Sequence, residues 1–145
     1  TTRTIHGSSL RRTPGPSKLL LAYLRIQDML TRDHIEHLPM EQKHLADAAS
    51  KLPDAKAVLD ASTLDMRELK HTRDDFAKLS DAVIDWVKKM PESSKKTIKY
   101  NLYQTYCPMV KKNWIQSIES VRNPYAPYML ECGTIKSQLA KESKP

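Results

Sequence analysis

The sequence predicts an all-α protein: a small bundle of four to five helices, followed by an irregular C-terminal segment that carries cysteine and methionine. Apolar residues recur every three to four positions between residues 17 and 90, which is the spacing of one face of a helix. Hydrophobic residues make up 39% of the chain and aromatic residues only 6%, a balance that favours a helical domain over a sheet protein. The length of 145 residues suits one domain with one core.

We expect a single helical domain over residues 17–141, between a flexible basic tail or linker at 1–16 and a C-terminal tail at 142–145. The first 16 residues mix Thr, Ser, Gly, Pro, Arg and His with almost nothing to bury. Such a composition cannot offset the entropy of ordering the chain. Because the chain opens at Thr1 without a basic-then-apolar leader, we expect that a leader was removed or that this is a piece of a longer protein.

Four helices are predicted before residue 91. The first begins at Ser17, a candidate N-cap, and ends near Arg32. Pro39 suits the first turn of a second helix that ends near residue 52, and a short third helix covers 54–60. The fourth opens at Ser62, which forms a capping-box pattern with Asp65, and it closes at residue 90 before a proline. The expected inward residues are Leu19, Tyr23, Ile26, Leu30, Leu45, Ala49, Leu52, Leu69, Phe76, Leu79, Val83 and Val87.

The C-terminal third has a weaker pattern. Residues 97–106 alternate in part, which fits either an extended segment or a frayed helix. Residues 113–121 predict a short amphipathic helix, Asn123-Pro124 a turn, and residues 134–141 a last helix that follows the tight turn at Gly133.

Charge and hydropathy argue against two kinds of partner. The net charge is +7, and residues 88–112 hold seven lysines against one glutamate. The lysine pairs carry neither an aromatic stacking platform nor a recognisable nucleic-acid-binding module, so we expect a solvated basic rim and no nucleic acid. The longest apolar run, residues 19–24, is far too short for a bilayer, so no direct membrane span is predicted.

A set of short motifs follows in a fixed order. They are Phe76-Ala77-Lys78-Leu79-Ser80, Tyr106-Cys107-Pro108-Met109, Trp114-Ile115, Arg122-Asn123-Pro124-Tyr125 and Met129-Leu130-Glu131-Cys132-Gly133. With this set, from about Lys18 to Leu139, the chain resembles a bacterial domain family of unknown function. That family occurs alone after an export signal, or attached to the periplasmic adaptor subunits of copper and silver efflux pumps of the resistance-nodulation-division type.

The resemblance implies a helical, extracytoplasmic, metal-associated module with no established enzymatic activity. Its partner would be an efflux adaptor or another periplasmic protein. The chain departs from the family in one turn, because many members carry a glycine soon after the Asn-Pro-Tyr motif, whereas this chain continues from Tyr125 with Ala126-Pro127-Tyr128.

Sulfur side chains are concentrated in the same segment. Cys107, Met109, Met129 and Cys132 offer two thiolates and two thioethers, and soft sulfur ligands select Cu(I) or Ag(I) over harder ions. If residues 129–132 form one helical turn, their two sulfurs share a face, and an extended 107–109 does the same for its pair. This donor set predicts a metal site.

A disulfide between Cys107 and Cys132 is the alternative, because the cysteine count is even and an extracytoplasmic compartment is oxidising. It would close a loop of 26 residues and stabilise the fold by about 3 to 4 kcal/mol through chain entropy. Both alternatives need the two cysteines to lie close together.

Several residues around the cysteines are expected to act as structure. We expect Trp114, the turn Asn123-Pro124-Tyr125 and Gly133 to fold the segment back on itself. No Cys-His pattern specifies a base for a nucleophilic cysteine, so no enzyme is predicted. The histidines are expected on the surface, because they are scattered without a ligand motif and Pro39 breaks the helix that would align His34 and His37 with His44. They are His34, His37, His44 and His71.

The sulfur donor set predicts a metal-handling accessory or binding module, and the family resemblance implies that it is periplasmic or otherwise extracytoplasmic and linked to copper or silver efflux. The alternative is a disulfide-closed helical protein-interaction domain that binds no metal.

Overall fold

A computed structural model describes residues 15–142 and shows a mixed α/β fold, so the all-α prediction is wrong. Within this range five helices precede a three-stranded antiparallel sheet. The helices are α1 (Gly15–Arg32), α2 (Leu38–Ser50), α3 (Lys56–Asp60), α4 (Leu69–Lys89) and α5 (Glu92–Lys95). The strands are β1 (Leu102–Cys107), β2 (Lys112–Gln116) and β3 (Thr134–Ala140), with a 3-10 turn at Pro127–Met129. Each of the four segments predicted as helical before residue 91 contains a helix with different bounds, and a sheet replaces the helices predicted in the C-terminal part.

The first helix ends where the sequence predicts but begins two residues earlier. Pro16 lies in its first turn, where a missing N–H leaves no helical hydrogen bond unmade. Ser17 is therefore not the N-cap; it is buried, its Oγ donates to the carbonyl of Thr97 at 3.2 Å and accepts from the N–H of Lys99 at 3.3 Å. The predicted tail thus loses residues 15 and 16 to α1. The rest of that tail, 1–14, and residues 143–145 lie outside the described residues.

The longest helix, α4, starts at Leu69, so the capping box predicted at Ser62 and Asp65 is wrong. Ser62 Oγ donates instead to the carbonyl of Leu59 at 2.7 Å, closing the end of α3. The Asp65 carboxylate accepts from the guanidinium of Arg67, at 2.9 Å from its Nη2. Short polar side chains that bond to nearby backbone or side-chain groups hold the chain outside a helix.

The core lies between α1, α2, α4 and the sheet. All but two of the side chains predicted to point inward are at most 1% exposed; Leu52 and Leu69 are only partly buried. Tyr23 of α1 stacks on Phe76 of α4 with ring centroids 5.0 Å apart. The helical period of the sequence therefore identifies these faces correctly.

The sheet has the strand order β2-β1-β3. The helix predicted over 113–121 is wrong because Trp114 and Ile115 are consecutive strand residues that are both fully buried. The Ile115 N–H donates to the hydroxyl of Tyr23 in α1 at 3.0 Å, and the Trp114 ring lies against Gly133 and Val121. A strand covered on both faces loses the polar and apolar alternation that marks a strand.

The helix predicted over 134–141 is also wrong, since these residues form edge strand β3. Pairing with β1 skips Lys136 and Leu139, because the register shifts twice along the strand. Such irregularities break the two-residue period. Partly buried Ile135 and Leu139 therefore lie four positions apart, as they would on a helix.

Residues 97–106 were compatible with an extended segment or a frayed helix, and from residue 102 onward they are extended, as part of the central strand β1. Within residues 15–142, no helix is long and apolar enough to cross a bilayer.

Candidate dithiol site

The two cysteines meet where two neighbouring strands share an end. Cys107 is the last residue of β1, and Gly133 alone separates Cys132 from the first residue of β3. Tyr106 pairs with Thr134 across the antiparallel ladder, so the residues beyond each strand come together. The sulfurs lie 3.4 Å apart, within the reach that the sequence predicts, and they are not bonded to each other.

The two thiols differ in their access to solvent. Cys107 is 0% exposed, under the loop that follows β2. Cys132 is partly exposed and lines a shallow depression of about 440 Å³ with the residues of the turn 127–131. A molecule approaching from solvent therefore meets Cys132 first.

Local polarity distinguishes the thiols as well. Burial by itself raises the pKa of Cys107, but the N–H groups of Val110 and Met109, the Cys132 thiol and the Asn123 amide together hold this pKa below its ordinary value. The hydrogen bond with Cys107, burial and the charge on Cys107 raise the pKa of Cys132. Cys107 is thus the first of the pair to ionise, and Cys132 donates to its sulfur.

Asn123 holds the loop that carries Cys132. Its side chain is fully buried, and its Nδ2 donates to the carbonyl of Cys132 at 2.8 Å. Its Oδ1 accepts from the N–H groups of Tyr125 at 2.8 Å and Ala126 at 3.2 Å. Its own N–H donates to the carbonyl of Leu130 at 2.7 Å. One side chain and its peptide therefore set the path of residues 123–132.

The Pro124-Tyr125 step anchors this loop to the helices. Arg73 of α4 donates from Nε to the carbonyl of Pro124 at 2.8 Å and from Nη2 to the carbonyl of Leu30 at 2.9 Å. The Tyr125 hydroxyl donates to the carbonyl of Asn113 and lies 3.3 Å from Ser80 Oγ. The site therefore rests on the same core that joins α1 to α4.

Trp114 and Gly133 form the floor under the cysteine loop. The Trp114 ring is fully buried and meets Tyr125 edge to face, with centroids 5.8 Å apart. A Cβ on Gly133 would lie 2.8 Å from Trp114 Cη2, closer than real Cβ contacts, and 3.1 Å from Val121 Cγ1, which is tighter than most of them. Only glycine lets the backbone after Cys132 pass over the indole.

Gln116 is a supporting residue that sequence reasoning missed. Its Oε1 accepts from Trp114 Nε1 and from the N–H of Arg122, each at 3.0 Å. Its Nε2 donates to the carbonyls of Ile118 at 2.7 Å and Ser120 at 2.8 Å. The one signal in the sequence was that Gln116 directly follows the apolar pair Trp114-Ile115. An amide buried beside such a pair must form hydrogen bonds with nearby groups.

Of the two predicted methionine ligands, only Met129 lines the depression together with Cys132. Met109 follows β1 with 69% of its surface exposed. Met129 lies in the turn before Cys132, and both residues line the same depression. The Cys132 N–H donates to the Met129 carbonyl at 3.0 Å. His34, His37, His44 and His71 are exposed. Over residues 15–142, no group of three or more His, Cys, Asp or Glu side chains is arranged to hold a metal ion.

Comparisons with protein-family models, with curated proteins and with solved structures found no match to this chain. The family resemblance of the sequence therefore stays a prediction.

Proposed function

We propose that this domain binds one soft monovalent cation, Cu(I) or Ag(I), between the thiolates of Cys107 and Cys132. The observation that supports the proposal is the pair of unbonded sulfurs 3.4 Å apart, one buried and one open to solvent. Thiolate is the ligand that such ions prefer.

The sulfur spacing suits a shared ion after a small movement. A zinc–thiolate bond is about 2.3 Å, so two thiolates on one ion of that size lie about 3.8 Å apart at a tetrahedral angle and about 4.6 Å apart in line. The pair needs to separate by about 0.4 to 1.2 Å to reach these distances. Rotation of the partly exposed Cys132 side chain can supply this movement while Asn123 holds its carbonyl.

Met129 is proposed as a third ligand, because it lines the depression in front of Cys132. Met109 is proposed as an outer sulfur that meets the ion at the surface, since its side chain is the second most exposed of the described large apolar ones. An ion would pass from thioether to thiolate as it moves inward.

The cellular setting is a proposal that depends on the family resemblance alone. It is an accessory role in copper or silver efflux outside the cytoplasm, with an efflux adaptor or another periplasmic protein as partner.

A Cu(I) titration of the reduced protein against a competing chromogenic chelator tests the metal proposal. We expect one equivalent to bind, and Cys107→Ser and Cys132→Ser each to abolish this binding. Met129→Leu should weaken it, while Met40→Leu, at an exposed methionine of α2, should leave it unchanged. Uptake that survives either cysteine substitution contradicts the site.

The second candidate function is a disulfide-closed interaction domain, which the same contact favours. An S–S bond is about 2.05 Å, so the sulfurs need to approach by about 1.4 Å. The closed loop would include every residue from 107 to 132. A protein that isolates with an oxidised pair, and that takes up no Cu(I) after reduction, supports this candidate against the metal site.

A further inference from the structure

The difference in access between the two thiols assigns them different chemical roles. We infer that this pair exchanges with low-molecular-weight disulfides of the glutathione class in a fixed order, with Cys132 as the attacking thiol and Cys107 as the resolving thiol. This inference uses the residues of the proposed metal site but does not rest on metal binding.

In the first step Cys132 attacks the external disulfide. Its thiol releases a proton to solvent, and the thiolate forms a bond to one sulfur of the glutathione disulfide. The external S–S bond breaks, and one glutathione thiolate leaves. Cys132 now carries a mixed disulfide in the shallow depression formed by residues 127–132.

In the second step Cys107 attacks the Cys132 sulfur from the protein side. Its thiol loses a proton, the sulfur bond between Cys107 and Cys132 forms, and the second glutathione leaves as a thiolate. Over both steps the two protein thiols lose two electrons, and one external disulfide becomes two thiols after each takes up a proton. No other oxidant is needed.

Burial decides the order: Cys107 is the first of the pair to ionise, but only Cys132 is open to an external disulfide. Cys107 is 0% exposed and lies at the end of the central strand, with neighbours on both sides, so an external disulfide cannot reach it in the folded protein. The Cys132 sulfur is 3.4 Å from it, and Asn123 holds the Cys132 carbonyl at 2.8 Å. The resolving step therefore needs only a local movement, whereas attack by Cys107 on a free disulfide would need the loop to open.

The test treats the reduced protein and its single variants with oxidised glutathione and follows the intact mass. Cys107→Ser should stop at a persistent glutathione adduct on Cys132. Wild type should pass through this adduct to an internal disulfide that carries no glutathione. Cys132→Ser should be modified at Cys107 more than about 100-fold more slowly than Cys132 reacts in Cys107→Ser, because reaction then waits for local opening.

Denatured samples supply the matched control, since each single variant must react at its remaining thiol once unfolded. Cys107→Ala repeats the trapping experiment without a buried hydroxyl, and circular dichroism checks that each variant is folded. Equal rates for folded Cys132→Ser and folded Cys107→Ser overturn the inference. So does wild type that accumulates the mixed disulfide without closing the internal one. Failure of Cu(I) uptake has no bearing on these outcomes, so the two proposals are tested separately.

Discussion

The helices α1 and α4 and the loop 117–133 both place buried residues in the core beside the dithiol site, but different interactions hold them. The helices meet through side chains such as Tyr23, Phe76 and Leu79, each 0% exposed and placed by helical spacing. The loop contains only one 3-10 turn, and two buried amides, Gln116 and Asn123, fix its course. Between them these amides make seven side-chain hydrogen bonds to the chain around the loop.

This contrast shows that a site without regular structure can still be held in one geometry. Apolar packing is non-directional and tolerates small shifts, whereas an amide with all its partners made holds the backbone at defined distances. Substitutions in the helices should therefore lower global stability. Substitutions of the amides should also change the spacing of the two thiols.

Phe76→Ala should have the largest effect on stability, because Phe76 stacks on Tyr23 and lies 5.9 Å from the Tyr125 ring. Removing a fully buried Phe side chain costs about 3 to 5 kcal/mol. Chemical denaturation measures this change in the free energy of unfolding. Ala substitution of exposed Tyr128 is the control; equal losses in both variants would remove Phe76 from the joint between helices and loop.

Asn123→Ala should lower the free energy of unfolding by about 2 to 3 kcal/mol, because two N–H groups and one carbonyl lose their buried partners. It should also slow the closing of the Cys107–Cys132 disulfide during glutathione oxidation. Asn101→Ala, at a partly buried asparagine outside the loop, should change neither quantity greatly. A disulfide that closes at the wild-type rate in Asn123→Ala would show that this amide does not position Cys132.

Tyr125 and Tyr23 should make the joint between helices and loop sensitive to alkali. Burial raises the pKa of both phenols above the usual value, so the native state keeps protons that the unfolded state releases. Their stabilisation is complete below the unfolded pKa of about 10 and is lost as pH rises beyond it.

Tyr125→Phe should therefore cost about 1 to 2 kcal/mol near neutral pH, because the Asn113 carbonyl loses its donor. The difference from wild type should shrink above about pH 10. Denaturation midpoints at pH 8 and above pH 10 measure it, with Tyr128→Phe as the exposed control. A pH-independent difference would argue against a buried phenol.

The ion pair between Asp74 of α4 and Lys112 of β2 should contribute least, although it joins a helix to the sheet. The hydrogen bond that Asp74 accepts from Lys112 lowers the pKa of the Asp74 carboxyl, although partial burial raises it. Its stabilisation is therefore present above the unfolded carboxyl pKa of about 4 and is lost as pH falls through the lower folded value.

Asp74→Asn should cost less than about 1 kcal/mol, because half of the Asp74 side chain is exposed and water screens the pair. Thermal unfolding at pH 7 and pH 3 measures the change, with Asp47→Asn, in a pair within α2, as the control. If Asp74→Asn lowered the free energy of unfolding as much as Asn123→Ala does, the ion pair would contribute as much as the buried amide, contrary to this prediction.

The sequence alone determined the helical region, because burial there follows a local period. Leu19, Tyr23, Ile26 and Leu30 point inward for the same reason that they recur every three to four residues. The sequence also indicated that Cys107 and Cys132 lie close together, through the turn residues between them. It did not specify whether the pair binds metal, closes a bond or exchanges with a disulfide.

Tertiary structure decided what happens after residue 95. Trp114 and Ile115 belong to a strand only because helices cover one face and a loop covers the other, and β3 has its bulged register only because β1 lies beside it. The burial of Cys107 and the access to Cys132 arise from the same assembly. Strand pairing joins residues that are distant in sequence, so no local period encodes it, whereas a helix makes its hydrogen bonds within itself.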